Sequence, residues 1–273
     1  MKPIHKVLTL AGSDTSGGAG IQADLKTFQE RGVYGMTALT TIVTMDPEEG
    51  WAHRVFPIAL STIEEQLKTI MSVGISGMKT GMLGSIDIIE LAARTIEKHN
   101  IPNVVVDPVM VCKGADEALH PETNEALRDI LVPKAVVVTP NLFEASQLAG
   151  TAPIRTLEDM KEAAARIQEK GAKYVLVKGG SKIGLPTSVD VLYDGKSFEM
   201  LEADLIDTTY THGAGCTYSA AVAAELAKGN DVRESVHRAK SFITEAIRHS
   251  FPLNQYVGPV RHNALRLLQH GEE

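Results

Sequence analysis

The chain has 273 residues, of which 27 are Lys or Arg and 34 are Asp or Glu, for a formal charge of −7. That length can bury a large core within one domain, and the absence of any basic run argues against nucleic acid as a partner. The apolar run within the first ten residues is too short for a secretory signal, no stretch approaches the roughly 20 apolar residues of a membrane span, and Cys112 and Cys216 read as free thiols, so a cytoplasmic protein with no membrane partner is expected.

Lys6 to Leu10 reads as a strand, Ala11 to Gly20 as a glycine-rich turn and Ile21 to Arg31 as a helix. The turn is not a Walker A loop, because Gly18-Ala19 stand where Lys-Ser/Thr should follow, although a small polar ligand over the strand end stays open. Asp24, one helical turn beyond Gly20, reads as a solvated helix carboxylate or as part of such a site. Met36 to Met45 is a second strand, rich in Thr, Ile and Val and broken by Asp46–Gly50. Trp51 to Phe56 then returns as a flap carrying Trp51 and His53, either a cover for a ligand or an exposed hairpin. Ile63, Leu67 and Ile70 define a helical face, Gly77 to Leu83 a short strand and turn, and Ile86 to His99 a helix with Ile89, Ala93 and Ile96 aligned.

Val104–Val106, Val136–Val138 and Tyr174–Val177 are unbroken apolar runs, the mark of strands buried on both faces of a parallel sheet. They end in Asp107-Pro108, Thr139-Pro140-Asn141 and Lys178-Gly179-Gly180, and helical segments are expected over Pro121–Leu131, Leu142–Ala149 and Leu157–Lys170. Asp107, Asn141, Glu144 and Lys178 thus collect at carboxyl ends of strands, the edge of an α/β sheet where ligands bind. Val189–Tyr193 and Ser197–Leu201, joined by Asp194-Gly195, form a hairpin that adds an antiparallel edge. Tyr210 to Ala224 is a glycine loop entering an alanine-rich helix, and Val232, Val236, Ala239, Ile243 and Ile247 mark one more amphipathic helix before a mixed tail. With no linker or repeat, the chain reads as one α/β domain over residues 1–273 with a largely parallel sheet.

Gly213 and Gly215 let the backbone turn its N–H groups toward one point, and the helix behind them adds its positive end, which suits an anion. Cys216 lies in the first turn, where that field favours a thiolate able to serve as a base; the other reading is a buried, inert cysteine behind a capping turn. Asp107 and Glu144 are carboxylates of the kind Mg²⁺ accepts, and Lys178-Gly179-Gly180 offers a charge where backbone can approach a polyphosphate. Each alone reads as a solvated loop charge, but together they are the parts of an ATP-dependent small-molecule kinase. Pattern alone does not set Asp190 and Lys240 apart from other charges.

Five ordered motifs, Gly12–Asp24, Val106–Met110, Thr139–Ala145, Val177–Gly180 and His212–Cys216, make the chain resemble the hydroxymethylpyrimidine kinase group of the ribokinase superfamily over nearly its whole length. The resemblance implies a ribokinase-like fold with helices on both faces of the sheet and a small lid, ATP as co-substrate, Mg²⁺, a homodimer, and phosphorylation of a ring-borne hydroxymethyl group. It places Gly12, Asp24 and His53 near the ring, and Asn141, Glu144, Lys178, Gly179, Gly180, Ser181, Lys182, Asp190, Gly215 and Lys240 on the nucleotide side.

Two departures bear on the substrate. Met45 stands where hydroxymethylpyrimidine kinases typically carry Gln, and Gly213-Ala214-Gly215-Cys216 replaces their usual Gly-Thr-Gly-Cys. A Gln amide can pair with a pyrimidine amine and ring nitrogen, whereas Met offers a soft apolar surface suited to a substituted pyridine. These features and the extra Cys112 resemble the bacterial pyridoxal kinases within the group, implying that Cys112 adds to the pyridoxal aldehyde as a hemithioacetal while Cys216 acts as base. Hydroxymethylpyrimidine and its monophosphate are the competing substrates. A catalytically silent sensor is a third reading, opposed by the intact set Asp107, Glu144, Lys178 and Cys216.

Overall fold

The computed structural model describes residues 3–110 and 121–271. A nine-stranded sheet runs through it in the order β3-β2-β1-β4-β5-β6-β7-β8-β9. Six strands are mutually parallel: β2 (Tyr34–Asp46), β1 (Lys6–Asp14), β4 (Gly77–Thr80), β5 (Val104–Val106), β6 (Val137–Val138) and β7 (Tyr174–Lys178). β3 (Ala52–Pro57) pairs antiparallel with β2, and β8 (Thr187–Tyr193) and β9 (Phe198–Asp204) close the other edge as the expected antiparallel hairpin.

The valine runs explain the layering. Val104 and Val106 face one hydrophobic layer and Val105 the other, and all three are at most 1% exposed. With period-two alternation, a strand that must be covered twice has no polar position to spare. Each buried Val contributes on the order of 2 kcal/mol. The first layer is closed by α2 (Leu60–Met71), α3 (Ile86–His99), α4 (Pro121–Ala126), α5 (Leu142–Ala149) and α6 (Leu157–Gln168). The second is closed by α1 (Gly20–Glu30), α7 (Ala214–Ala227) and α8 (Val232–Arg248), with α9 (Ala264–His270) near the end of the chain. α7 is buried from Thr217 to Ala227, and its alanines let it lie close against both the sheet and α8.

The structure refines two expected elements. The helix expected over Pro121–Leu131 ends as an α-helix at Ala126 and continues as a π-helical turn, Leu127–Leu131, and a 3-10 turn, Val132–Lys134. The short strand and turn expected over Gly77–Leu83 divide at Thr80, where β4 ends, and a Cβ on the next residue, Gly81, would press on Ala11 Cβ at 2.9 Å. The parallel strands therefore all stop at one edge, with Asp14, Thr80, Asp107, Asn141 and Lys178 at or just beyond their ends.

Candidate active site

A cleft of about 540 Å³ opens along that edge. Gly12, Met45 and His53 line it beside β1 and the β2–β3 flap. Asn141, Glu144, Lys178, Gly179, Gly180, Ser181, Lys182, Asp190 and Lys240 line it beside β6, β7 and β8. Gly213, Gly215 and Cys216 line it from the first turn of α7, and Asp107 from the end of β5. Cys112 lies outside the described residues.

The glycine loop is built by close approach. Gly213 has φ of 76°, and a Cβ there would collide with the Gly18 carbonyl. Only glycine fulfils both conditions. The facing loop is fastened by Asp14, which accepts from Ser16 N at 2.8 Å, Ser16 Oγ at 2.7 Å and Ala19 N at 2.7 Å, and pairs with His212 Nε2 at 2.7 Å. Burial works against its charge, but the His212 and Ser16 contacts hold the carboxyl down at about 2. Among the described residues no side chain caps α7; Ala214 N donates to Thr211 O at 3.2 Å, and the Gly215 and Cys216 N–H groups lie in the turn that faces the cleft, where an anion is favoured. α5 differs: Asn141 and Glu144 close a capping box, with Asn141 N donating to Glu144 Oε2 at 2.8 Å and Glu144 N to Asn141 Oδ1 at 3.0 Å.

Charge alternates along the floor. Lys79 Nζ sits 2.8 Å from Asp24 Oδ2 and 4.0 Å from Asp107 Oδ2, and Lys178 Nζ lies 3.1 Å from Asp107 Oδ1. Ser219 Oγ donates to Asp107 Oδ2 at 3.1 Å and lies 3.0 Å from Cys216 O, tying this row to the first turn of α7. Burial, opposed by Lys178 and reinforced by Asp107, holds the Glu144 carboxyl at about 7. Lys178 and Lys79 keep Asp107 below the usual carboxylate range despite its burial. At the far side Asp190 receives Lys240 Nζ at 2.7 Å and Gly179 N at 3.0 Å, so it shapes the Lys178–Gly180 turn and neutralises Lys240.

Asp24 corrects the sequence reading. It is 0% exposed and is taken up by Lys79 and by Thr9 Oγ1 at 2.6 Å behind the cleft wall, so it is not the solvated helix carboxylate that its pattern allowed. The thiolate expectation is corrected as well: burial, with Asp24 and Asp107 nearby, pushes the Cys216 thiol up to about 11, although Lys79 and the Gly20 N–H pull the other way. Lys79, Asp14 and His212 form part of the cleft wall that sequence reasoning did not single out. Lys79 carried no signal beyond a lysine between Met78 and Thr80 in a strand too short to read for facing.

Among the described residues no three His, Cys, Asp or Glu side chains gather into a metal site. Mg²⁺ needs only one or two protein carboxylates when phosphates and water complete its shell. Asp107 and Glu144, both buried at the cleft and sharing Lys178 between them, fit that requirement.

A ribokinase-like α/β fold and an anion cleft at the carboxyl edge of its sheet define a small-molecule kinase architecture. Residues 14–261 match the phosphomethylpyrimidine kinase family, and the chain belongs to that family. It is 63% identical to the pyridoxine kinase of Bacillus subtilis over 97% of this chain and 98% of that protein. The ADP complex of Bacillus subtilis pyridoxal kinase superposes with a TM-score of 0.95 at 63% identity, covering 97% of this chain and 100% of that one. The pyridoxal kinase of Staphylococcus aureus in complex with AMP-PCP and pyridoxal superposes with a TM-score of 0.92 at 49% identity, covering 97% and 95%. Among the described residues no helix is long and apolar enough to cross a membrane.

Proposed function

We propose that the chain is an ATP-dependent kinase that phosphorylates the 5′-hydroxymethyl group of pyridoxal, pyridoxine and pyridoxamine, acting as a single domain over residues 1–273 and as a cytoplasmic homodimer. The observation that carries this reading is that one cleft joins a ring end, where the Met45 thioether and the His53 imidazole meet, to a phosphate end, at Lys178 and the first turn of α7. Relatives named for pyridoxine and pyridoxal, one of them with both a nucleotide analogue and pyridoxal bound, support the same pairing.

In this reading Asn141, Gly179, Gly180, Ser181, Lys182, Asp190 and Lys240 border the nucleotide, and Lys178 holds its phosphates. Asp107 and Glu144 hold Mg²⁺, which when bound supplies positive charge beside the phosphates. The substrate hydroxyl oxygen bonds to the γ-phosphorus as the bond to the β–γ bridging oxygen breaks. Its proton passes to Cys216 Sγ, and ADP leaves with the bridging oxygen. The backbone around Gly213 and Gly215 stabilises the charge on the moving group. Cys216 must lose its own proton before it can accept another, because burial holds the thiol at about 11. Cys112 adds to the aldehyde of pyridoxal as a hemithioacetal, which orients that vitamer.

Phosphorylation of hydroxymethylpyrimidine and its phosphate is a second reading, favoured by the family match itself. Met45 opposes it, because a thioether offers no amide to the pyrimidine amine. Incubation with MgATP and pyridoxal, followed by phosphorus NMR and mass spectrometry, tests the reading. One new phosphate ester on the hydroxymethyl group, formed with ADP, is expected; ATP left intact in the presence of every B6 vitamer would exclude it.

A further inference from the structure

The tip of the β2–β3 flap is strained. Gly50 and Trp51 both have left-handed φ, 64° and 69°, which glycine adopts freely and a bulky side chain avoids. Trp51 Nε1 is buried and, among the described residues, meets no hydrogen-bond partner. The tip is nonetheless fixed: Trp51 N donates to Asp46 O at 2.8 Å, Glu48 N donates to Asp46 Oδ1 at 2.9 Å, and Arg54 reaches Asp46 Oδ2 at 2.6 Å. This conformation lays the indole on the ring of Tyr256, with centroids 6.1 Å apart and planes at 19°, within the range of offset-stacked pairs. A backbone outlier held by its surroundings points to a role beyond stability.

The two rings belong to segments that serve opposite ends of the cleft. Met45 and His53 are cross-strand partners that line the ring end, one just before the tip and one just after it. Tyr256 lies two residues before Gly258, whose carbonyl accepts from His212 N at 3.1 Å, and Val260 N returns to His212 O at 3.2 Å. His212 adjoins Gly213, where the glycine loop enters α7. β3 is an edge strand paired with β2, so the stack ties the outer end of the flap to the segment that supports the glycine loop. We propose that Trp51 and Tyr256 are positioning residues for the ring substrate: their stack holds the flap over the cleft and so sets where Met45 and His53 meet the ring. The proposal rests on the ring end lying at Met45 and His53, whichever ring alcohol the chain prefers. Neither Trp51 nor Tyr256 lines the cleft, and their effect passes through the flap.

Trp51 is the only tryptophan in the chain, so its fluorescence reports on the stack directly. Tyr256 is 49% exposed, and its replacement leaves the core untouched. In ligand-free Tyr256→Ala, emission should move to longer wavelength and acrylamide quenching should increase. The KM for pyridoxine should rise roughly three- to tenfold, the size expected for loss of one aromatic pair, with kcat and the KM for ATP unchanged. Tyr256→Phe keeps the ring and should restore both the emission and the KM. Titration calorimetry with pyridoxine and, separately, AMP-PCP makes the same comparison without catalysis: pyridoxine affinity should fall in Tyr256→Ala and AMP-PCP affinity should hold. A wild type that binds both ligands but transfers no phosphate would count against the kinase reading and leave the stack to be judged on affinity. If the wild type prefers hydroxymethylpyrimidine, that ring takes the place of pyridoxine in each comparison. Unchanged emission in Tyr256→Ala, an unchanged KM and affinity for the ring, or an equal loss for ring and nucleotide would each overturn the proposal.

Discussion

Lys178 reaches from the end of β7 across β6 to Asp107 at the end of β5, Nζ to Oδ1 at 3.1 Å, and so closes the phosphate floor of the cleft. Both groups are nearly buried, so the ammonium is a preformed countercharge with little competition from water.

Replacing Lys178 by Met removes that charge and leaves Asp107, among the described residues, with Lys79 as its remaining ammonium partner beside the Ser219 hydroxyl. A charge-assisted hydrogen bond is worth about 1.5–3 kcal/mol, so kcat/KM for ATP should fall roughly 10- to 100-fold. Steady-state kinetics with ATP varied at saturating pyridoxal check this, and an unchanged value would remove Lys178 from phosphate binding.

Glu144→Gln keeps the capping box, since a Gln oxygen can still accept from Asn141 N, but removes a titrating charge. The Glu144 carboxyl stands at about 7, above its ordinary 4.5, because burial disfavours the anion. The folded protein therefore holds this proton more tightly than the unfolded chain does. This group's contribution to stability is present below about pH 4.5 and declines as pH rises through 7. Mg²⁺ requires the carboxylate, so its affinity should strengthen over the same interval. Titration calorimetry of Mg²⁺ with the nucleotide-bound protein between pH 6 and 8 should show that dependence in the wild type and its weakening in Glu144→Gln.

For Cys216→Ala, ATP affinity should survive while kcat falls ~10²- to 10⁴-fold, the usual loss for a general base. The wild-type kcat should climb toward alkaline pH, because the thiol titrates near 11 in the ligand-free protein, and the variant should lose that limb. Coincident pH profiles would show that Cys216 does not accept the proton.

Cys112→Ala should reduce kcat/KM for pyridoxal more than for pyridoxine, since only the aldehyde can form a hemithioacetal. Equal losses with the two vitamers would sink that role.

The sheet was legible because its central strands are covered twice: Val104–Val106 has no polar position and admits no other placement. The glycine loop was legible for a similar reason, as Gly213 combines a left-handed φ with contact against Gly18. Asp24 was misread because a single carboxylate on an amphipathic helix looks the same in sequence whether it faces water or a buried lysine 55 residues away. Lys79 was passed over because nothing in a four-residue strand reveals which way a lysine points. The helix-end field on Cys216 could be foreseen, whereas its burial beside two carboxylates depends on contacts from α1 and β5 that only folding assembles.

Assignment of the chain to B6 vitamers stands or falls on kcat/KM measured side by side with MgATP and pyridoxal, hydroxymethylpyrimidine or hydroxymethylpyrimidine phosphate. A much higher value is expected for pyridoxal, with Met45 setting the preference. Efficient conversion of hydroxymethylpyrimidine phosphate to the diphosphate, with pyridoxal a poor acceptor, would contradict it.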